Sequence, residues 1–212
     1  MKKRVAFLFD QNNSWIYNFF KDKNFEIEGF EFYNIFDSEK VFDFDIVFLI
    51  AYTRILSKEF LKKNKLTLVI HESKLPQGKG FAPLQWQLLE GKSEIIMSLF
   101  EANEKVDTGD IFIQNKIDFD GTELYEEIRE KQAIHTIRII IDFLTIYPNY
   151  KAIKQNGAES FYPRRYKEDS ELDVDKTIRE NFNLLRIGNN EEWPSFFFIN
   201  GVKYILKIYK EK

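Results

Sequence analysis

The sequence predicts an α/β fold, a mostly parallel sheet flanked by helices with a small C-terminal β-hairpin annex. Three observations lead there. Apolar runs at 5–9, 46–50 and 66–70 have the length of strands, and each gives way to a polar turn. Stretches with helical spacing alternate with them, the longest from about 122 to 147. Near the end, Asn200-Gly201 separates two apolar segments, the strongest hairpin signal in the chain.

The elements follow in order. Run 5–9 ends in Asp10-Gln-Asn-Asn-Ser14, a polar turn suited to capping a helix from Trp15 to about Lys21. Segments 30–35 and 46–50 read as strands, the second apolar enough for burial on both faces. Ser57 caps a short helix reaching about Lys62, and run 66–70 is the strand that delivers His71. A helix at 83–89 stops at Gly91. Runs 95–100 and 111–117 form two more strands. In the long helix that follows, Leu124, Ile128, Ile134, Ile137, Ile141 and Leu144 mark the expected buried face, and Pro148 ends it. Residues 1–150 are thus read as the core, and 151–212 as an extension holding a helix near 175–185 and the hairpin.

Composition narrows the function. At 212 residues the chain can bury a sizeable core, and its 22 phenylalanines are ordinary filling for one. A net charge of −3 gives no basic footprint, which argues against a nucleic-acid partner. The absence of cysteine excludes disulfides, thiolate metal sites and a cysteine nucleophile, and fits a cytoplasmic location. Asp10 interrupts the first apolar run too early for a signal peptide, and no run is long enough to span a membrane. The turn after the first strand has no glycine, and there is no Gly-rich Lys-Ser/Thr loop, so dinucleotide and P-loop sites are poor readings. No His/Cys cluster suggests a metal.

The chemistry concentrates in 71–80 and 106–111. His71 sits at a strand end before a loop with a Ser, a Pro and two glycines, the place where open α/β sheets hold ligands. Asp107 returns from a turn between two strands. Histidine, with a reference pKa of about 6.5, can take and return a proton near neutrality, and a carboxylate can orient and stabilise it. On spacing alone, His71 reads equally well as a strand-end histidine satisfied by backbone.

His71-Glu-Ser-Lys-Leu-Pro76 with Gly78-Lys79-Gly80, Pro83 and Trp86, followed by Asp107-Thr-Gly-Asp110, resembles the folate-dependent formyltransferases. Their signature is Asn-x-His-x-Ser-x-Leu-Pro, then Gly-x-x-Pro, then Asp-x-Gly-Asp. Upstream, Ala51-Tyr52-Thr-Arg-Ile55-Leu56 is similar to the family segment that lines the folate pocket. Downstream, Tyr162 to Asp169 is similar to the family's Tyr-x-x-Arg-x-x-x-Asp element. The resemblance implies a Rossmann-like core and N10-formyltetrahydrofolate as the formyl donor. His71 would be base and acid, and Asp107 its partner, directly or through a water. Folate would lie against Tyr52, Ile55, Leu56 and the backbone from Leu99 to Asp107, with Asp110 nearby.

Within the family the sugar branch fits best. The C-terminal barrel and basic surface of methionyl-tRNA formyltransferases are not legible here. Asn13-Ser14-Trp15 and the 71–80 loop resemble enzymes that formylate a UDP-linked 4-amino-4,6-dideoxy-N-acetyl sugar. That implies a nucleotide-linked amino sugar as acceptor, held by Asn13, Ser14, Trp15, Ser73, Gly78, Lys79 and Arg164, with Lys79 meeting the diphosphate. At least one of Arg164 and Arg165 is expected to serve structure through Glu168 or Asp169. The resemblance also suggests a homodimer, with the C-terminal hairpin as contact surface. One position departs: the family's catalytic Asn, two before the histidine, is Val69. Either another donor meets the oxyanion, such as a backbone N–H of the 71–73 loop or protonated His71, or the enzyme is slow. A catalytically silent binder of nucleotide sugar or folate, and a formylfolate hydrolase, remain open readings.

Overall fold

A computed structural model describes residues 1–10, 15–23 and 25–211. Its centre is a six-stranded sheet. The strands are β1 (Lys3–Phe9), β2 (Phe30–Ile35), β3 (Ile46–Ile50), β4 (Thr67–His71), β6 (Glu94–Glu101) and β7 (Ile111–Asp118), ordered β2-β1-β3-β4-β6-β7. A short strand β5 (Lys79–Gly80) lies outside it. Pairing is parallel from β2 to β4 and antiparallel from β4 to β7. The sheet is therefore mostly parallel, as the alternation of strand and helix signals predicts.

Strand alternation divides the core into two. Val5, Phe7 and Phe9, with Ile46, Phe48 and Ile50 and with Leu68, point to one face. There they meet α1 (Tyr17–Phe20), α3 (Pro83–Leu89) and α4 (Tyr125–Ile146). Ala6, Leu8, Val47 and Leu49 point to the other, against Val41, Phe44 and Phe60 of α2 (Lys58–Lys62). Ser57 caps α2 by accepting the Phe60 N–H, as its position suggests. Many phenylalanines fill the larger face, where Phe7 packs against Phe20, Phe25, Phe32 and Phe48.

The long helix differs from its expected form in two respects. It begins at Tyr125 rather than 122, and Ile134 and Ile141 are exposed. The buried stripe runs instead through Ile128, Ala133, Ile137, Ile140 and Leu144, rotated from the expected line. Its late start has a cause. Glu123 accepts the N–H groups of Asp120 and Gly121 at 3.0 and 3.1 Å, so the chain just before the helix is committed to a turn.

Beyond α4 the chain forms β8 (Phe161–Tyr162), parallel to β5, then α5 (Ile178–Arg186) and the hairpin β9 (Ser195–Ile199) and β10 (Val202–Leu206). The hairpin exposes Phe198, Ile199, Val202, Tyr204 and Ile205. Among the described residues, no helix is long and apolar enough to cross a membrane.

One buried ion pair fastens α5 to the core. Arg186 Nη1 lies 3.2 Å from Glu123 Oε2, and both side chains are almost fully enclosed. Burial alone would raise the Glu123 carboxyl, but the Lys131 ammonium and the Asp120 and Glu123 backbone N–H groups hold it down to about 2. Removing one partner of such a pair leaves the other charge uncompensated. Glu123→Ala should therefore cost about 3–5 kcal/mol in denaturant unfolding at neutral pH. A carboxyl depressed on folding stabilises above its ordinary value and stops doing so as pH falls through the folded one. The gap between wild type and variant should accordingly shrink from pH 4.5 down to about 2.

Candidate functional site

β4 delivers His71, and its period of two sets what stands beside it. Leu68 and Ile70 face the larger core, whereas Val69 faces the other side with Tyr52, Leu56 and Ala102. His71, two residues after Val69, shares that second face. Register places Ser98 of β6 opposite His71, and the Phe100 ring meets the imidazole edge-on.

The loop after β4 folds back on the histidine. His71 Nε2 lies 2.8 Å from the Gly78 carbonyl. A carbonyl can only accept, so Nε2 carries the proton and the neutral ring keeps Nδ1 as its acceptor. Asp107 Oδ2 is 4.0 Å from the same Nε2, beyond hydrogen-bond length. That oxygen instead accepts the Gly80 N–H at 2.8 Å. The carboxylate therefore acts on the imidazole through its field, while the Gly78 carbonyl sets the ring. Both side chains are buried.

Asp107 occupies a tight turn. Its φ is +54°, the left-handed region that non-glycine residues rarely adopt. Two residues on, Gly109 lies so close to β6 that a Cβ there would sit 1.7 Å from the Glu101 carbonyl oxygen. Burial pushes the neighbouring Glu101 carboxyl up, and the Asp110 charge adds to the effect.

The segment after α4 ties both loops together. Ile153 exchanges two backbone hydrogen bonds with Ile111, each 2.8 Å. Gln155 Nε2 donates to the carbonyls of Asp107 and Gly109, at 3.0 and 2.9 Å. Ser160 Oγ accepts the Gly78 N–H at 2.8 Å, and β8 pairs with β5. Gln155, Ser160 and Glu159 escape sequence reasoning. A Gln-Asn-Gly-Ala-Glu stretch reads as a turn, and nothing local announces that it crosses to residues some 46–82 positions away.

The other predicted residues scatter. Ser73 is buried in the His71 loop, where its carbonyl accepts the Ser98 hydroxyl at 2.6 Å and its own Oγ has no partner among the described residues. Lys79, the expected diphosphate contact, is 1 % exposed, with Nζ 2.6 Å from Glu159. Its backbone is part of β5, which draws the side chain inward. Tyr52 and Leu56 are half-buried on the His71 face, but Ile55 is 81 % exposed. Leu99 is fully buried in the larger core, on the opposite face, so only its backbone is available to a ligand on the His71 side. Asp110 accepts the Glu101 N–H through its carbonyl at 3.0 Å. Arg164 is exposed, with its guanidinium 4.8 Å from the Phe81 ring centre, while Arg165 donates to the Asp169 carbonyl at 3.0 Å. Trp15 is half-buried beneath the Arg129 guanidinium, 4.4 Å away. Asn13 and Ser14 lie outside the described residues.

Two depressions flank these features. One of 260 Å³ is lined by Leu61, Ala102, Asn103 and charged groups of α2, beside the Tyr52–Leu56–Val69 face. A larger one of 530 Å³, lined by Phe7, Phe25, Phe30 and Phe32, shares no residue with the His71 site. Size is a weaker guide than convergent polar chemistry: among the described residues the second depression is lined by no histidine, its charged groups being Lys2, Lys23, Glu26, Glu28 and Glu31.

The formyl transferase family model matches residues 6–144. A methionyl-tRNA formyltransferase from Thermodesulfovibrio yellowstonii is 30 % identical over 155 residues, covering 71 % of this chain and 49 % of the relative. The chain thus spans about half the length of the curated relatives it matches. Among solved structures, a methionyl-tRNA formyltransferase from Clostridium thermocellum superposes with TM-score 0.79 at 20 % identity, covering 99 % of this chain and 94 % of that one. A 4-N formyltransferase from Francisella tularensis gives 0.69 at 20 % identity, with coverage of 99 % and 98 %.

The close approach of Gly109 can be separated from backbone preference. Gly109→Ala must push β6 away and should destabilise by about 1–3 kcal/mol or more in chemical denaturation. Gly121→Ala, left-handed at φ +91° but with open space around the new Cβ, should lose only about 1–2 kcal/mol. Equal losses would show that Glu101 yields freely.

Proposed function

This chain belongs to the formyl transferase family, and on that premise we propose that it transfers a formyl group from N10-formyltetrahydrofolate, the family's donor, to the amine of a nucleotide-linked amino sugar. The observation that carries the reading is the constellation of His71, Asp107, Gly78 and Gly80 at the end of β4, on the half-buried face of Tyr52, Leu56 and Val69. That face suits the donor's ring system: it is apolar, half-buried and next to a depression whose rim carries Lys62 together with a Lys58 already paired with Glu104 at 2.5 Å.

The residues divide the work. The reaction forms a C–N bond between the acceptor nitrogen and the formyl carbon and breaks the carbon's bond to folate N10. The proton lost by the amine must reach the departing nitrogen. His71 is placed to accept it at Nδ1, because Nε2–H is held by the Gly78 carbonyl, and to return it. Asp107 stabilises the imidazolium formed in between, from 4.0 Å. Oxyanion stabilisation falls to groups other than residue 69, since a valine offers no donor.

The acceptor choice rests on three supports. The net charge of −3 offers a polyanion little attraction, and residues 71–80 resemble the sugar branch. The Francisella tularensis neighbour is named a 4-N formyltransferase. A second reading, methionyl-tRNA as acceptor, is favoured by the names of the curated relatives.

A mass-spectrometric turnover assay separates these. Purified protein is given N10-formyltetrahydrofolate with UDP- and dTDP-linked 3- and 4-amino sugars, and separately methionyl-tRNA. Gain of one formyl group on one sugar is expected, with kcat reduced about 10²–10⁴-fold in His71→Asn and also falling in Asp107→Ala. Formylation of methionyl-tRNA alone would replace the sugar reading. Formate release without an acceptor would identify a hydrolase, and folate binding without product a silent binder.

Position 69 makes a separate prediction. Val69→Asn places a carboxamide on the His71 face, two residues before it. One added oxyanion donor should raise kcat by about tenfold or more, given that such donors contribute about 10²–10³ elsewhere. An unchanged or lower kcat would mean that the existing donors already serve.

A further inference from the structure

We propose that Gln155 is a positioning residue that holds the Asp107 turn in its working geometry. The inference rests on the reading of His71 and Asp107 as the acid–base pair. Its geometric part stands on contacts alone.

Ile111 and Ile153 form an antiparallel bridge, so two residues further along Gly109 falls opposite Gln155. Gly109 has no side chain and is pressed against the Glu101 carbonyl. The Gln155 side chain faces that position, and its one amide nitrogen spans the carbonyls of residues 107 and 109. Both neighbours of that nitrogen are acceptors, so the amide orientation follows from its surroundings. Both of its protons are used, while Gln155 Oε1 is buried without a partner among the described residues. An unmet acceptor carries a cost, and the pair of hydrogen bonds to the turn is what offsets it.

What the turn gains is a conformation it would not keep alone. Asp107 is left-handed at φ +54° without being glycine. Tying the carbonyls on either side of residue 108 fixes the direction in which the Asp107 side chain leaves the backbone. Only from that direction does Oδ2 reach both the Gly80 N–H at 2.8 Å and the vicinity of His71 Nε2 at 4.0 Å. Gln155 touches neither imidazole nor any reacting atom; it acts through Asp107. Small displacements of a supporting group are enough to lose a productive geometry.

The Gly80 amide reports on this directly and without turnover. Asp107→Asn replaces its carboxylate acceptor and should move the Gly80 amide proton resonance upfield. Gln155→Met keeps the bulk and removes the donors; Gln155→Glu keeps the length and turns a carboxylate toward two carbonyls. Both should move the Gly80 resonance in the same direction and raise its hydrogen exchange at least tenfold. The Ile111 amide, bonded to Ile153, should keep wild-type protection. With the acceptor identified by the turnover assay, kcat should fall at least tenfold while KM stays within threefold. A Gly80 resonance and exchange rate at wild-type values in both variants would overturn the proposal. So would joint loss of protection at Gly80 and Ile111, which would mean general loosening of the segment. Full turnover in Asp107→Asn would instead remove the catalytic reading of Asp107, a failure visible apart from the Gly80 signal.

Discussion

The period of two along β4 is the constraint on which the rest of the structure depends. Leu68 and Ile70 are committed to the large apolar face, packed with Phe48, Leu99 and the long helix. Val69 and His71 are thereby committed to the opposite face. A slip of one residue in pairing with β3 or β6 would exchange the two sets, burying an imidazole in a hydrocarbon core and turning Leu68 and Ile70 onto the smaller face. The apolar cost of such a slip is what makes the position of His71 a certainty of packing rather than a property of its loop.

Around that fixed point, function is assembled from segments far apart in sequence. The loop 72–78 returns a carbonyl to the imidazole, the β6–β7 turn brings a carboxylate, and the chain after α4 crosses both. Each hydrogen bond among them uses a backbone group, a carbonyl or an amide, while the carboxylate faces the imidazole side chain to side chain. This explains the demand for glycine at 78, 80 and 109, where side chains would strike Ser73, Tyr162 and Glu101. It also explains why Asp107 is not hydrogen-bonded to His71. Its Oδ2 already accepts the Gly80 N–H, and the imidazole already has the Gly78 carbonyl.

Burial reassigns charged groups that look free in the sequence. Lys79 lies between two glycines in a loop expected to meet a diphosphate, yet its side chain is buried beside the β5–β8 pairing and turned toward Glu159. Glu123 and Arg186, unremarkable in sequence, form the enclosed pair that joins α5 to the start of α4. Desolvated ions of this kind matter less for net stability than for the penalty of losing one partner, so they enforce a single arrangement of core and extension.

The sequence by itself determined the elements and the direction of the argument. Strand lengths, the Ser57 cap, the Gly91 stop and the Asn200-Gly201 turn are local properties, set by backbone sterics and nearest neighbours. His71 and Asp107 stood out because their residue types and flanking turns are local too. The tertiary structure alone decided which side chains face one another. It turned Leu99 into the core, left Ile55, Ile134 and Ile141 exposed, took Lys79 from solvent and set Gln155 against the Asp107 turn. Those outcomes depend on register and on crossings between segments distant in the chain, which no window of neighbouring residues contains.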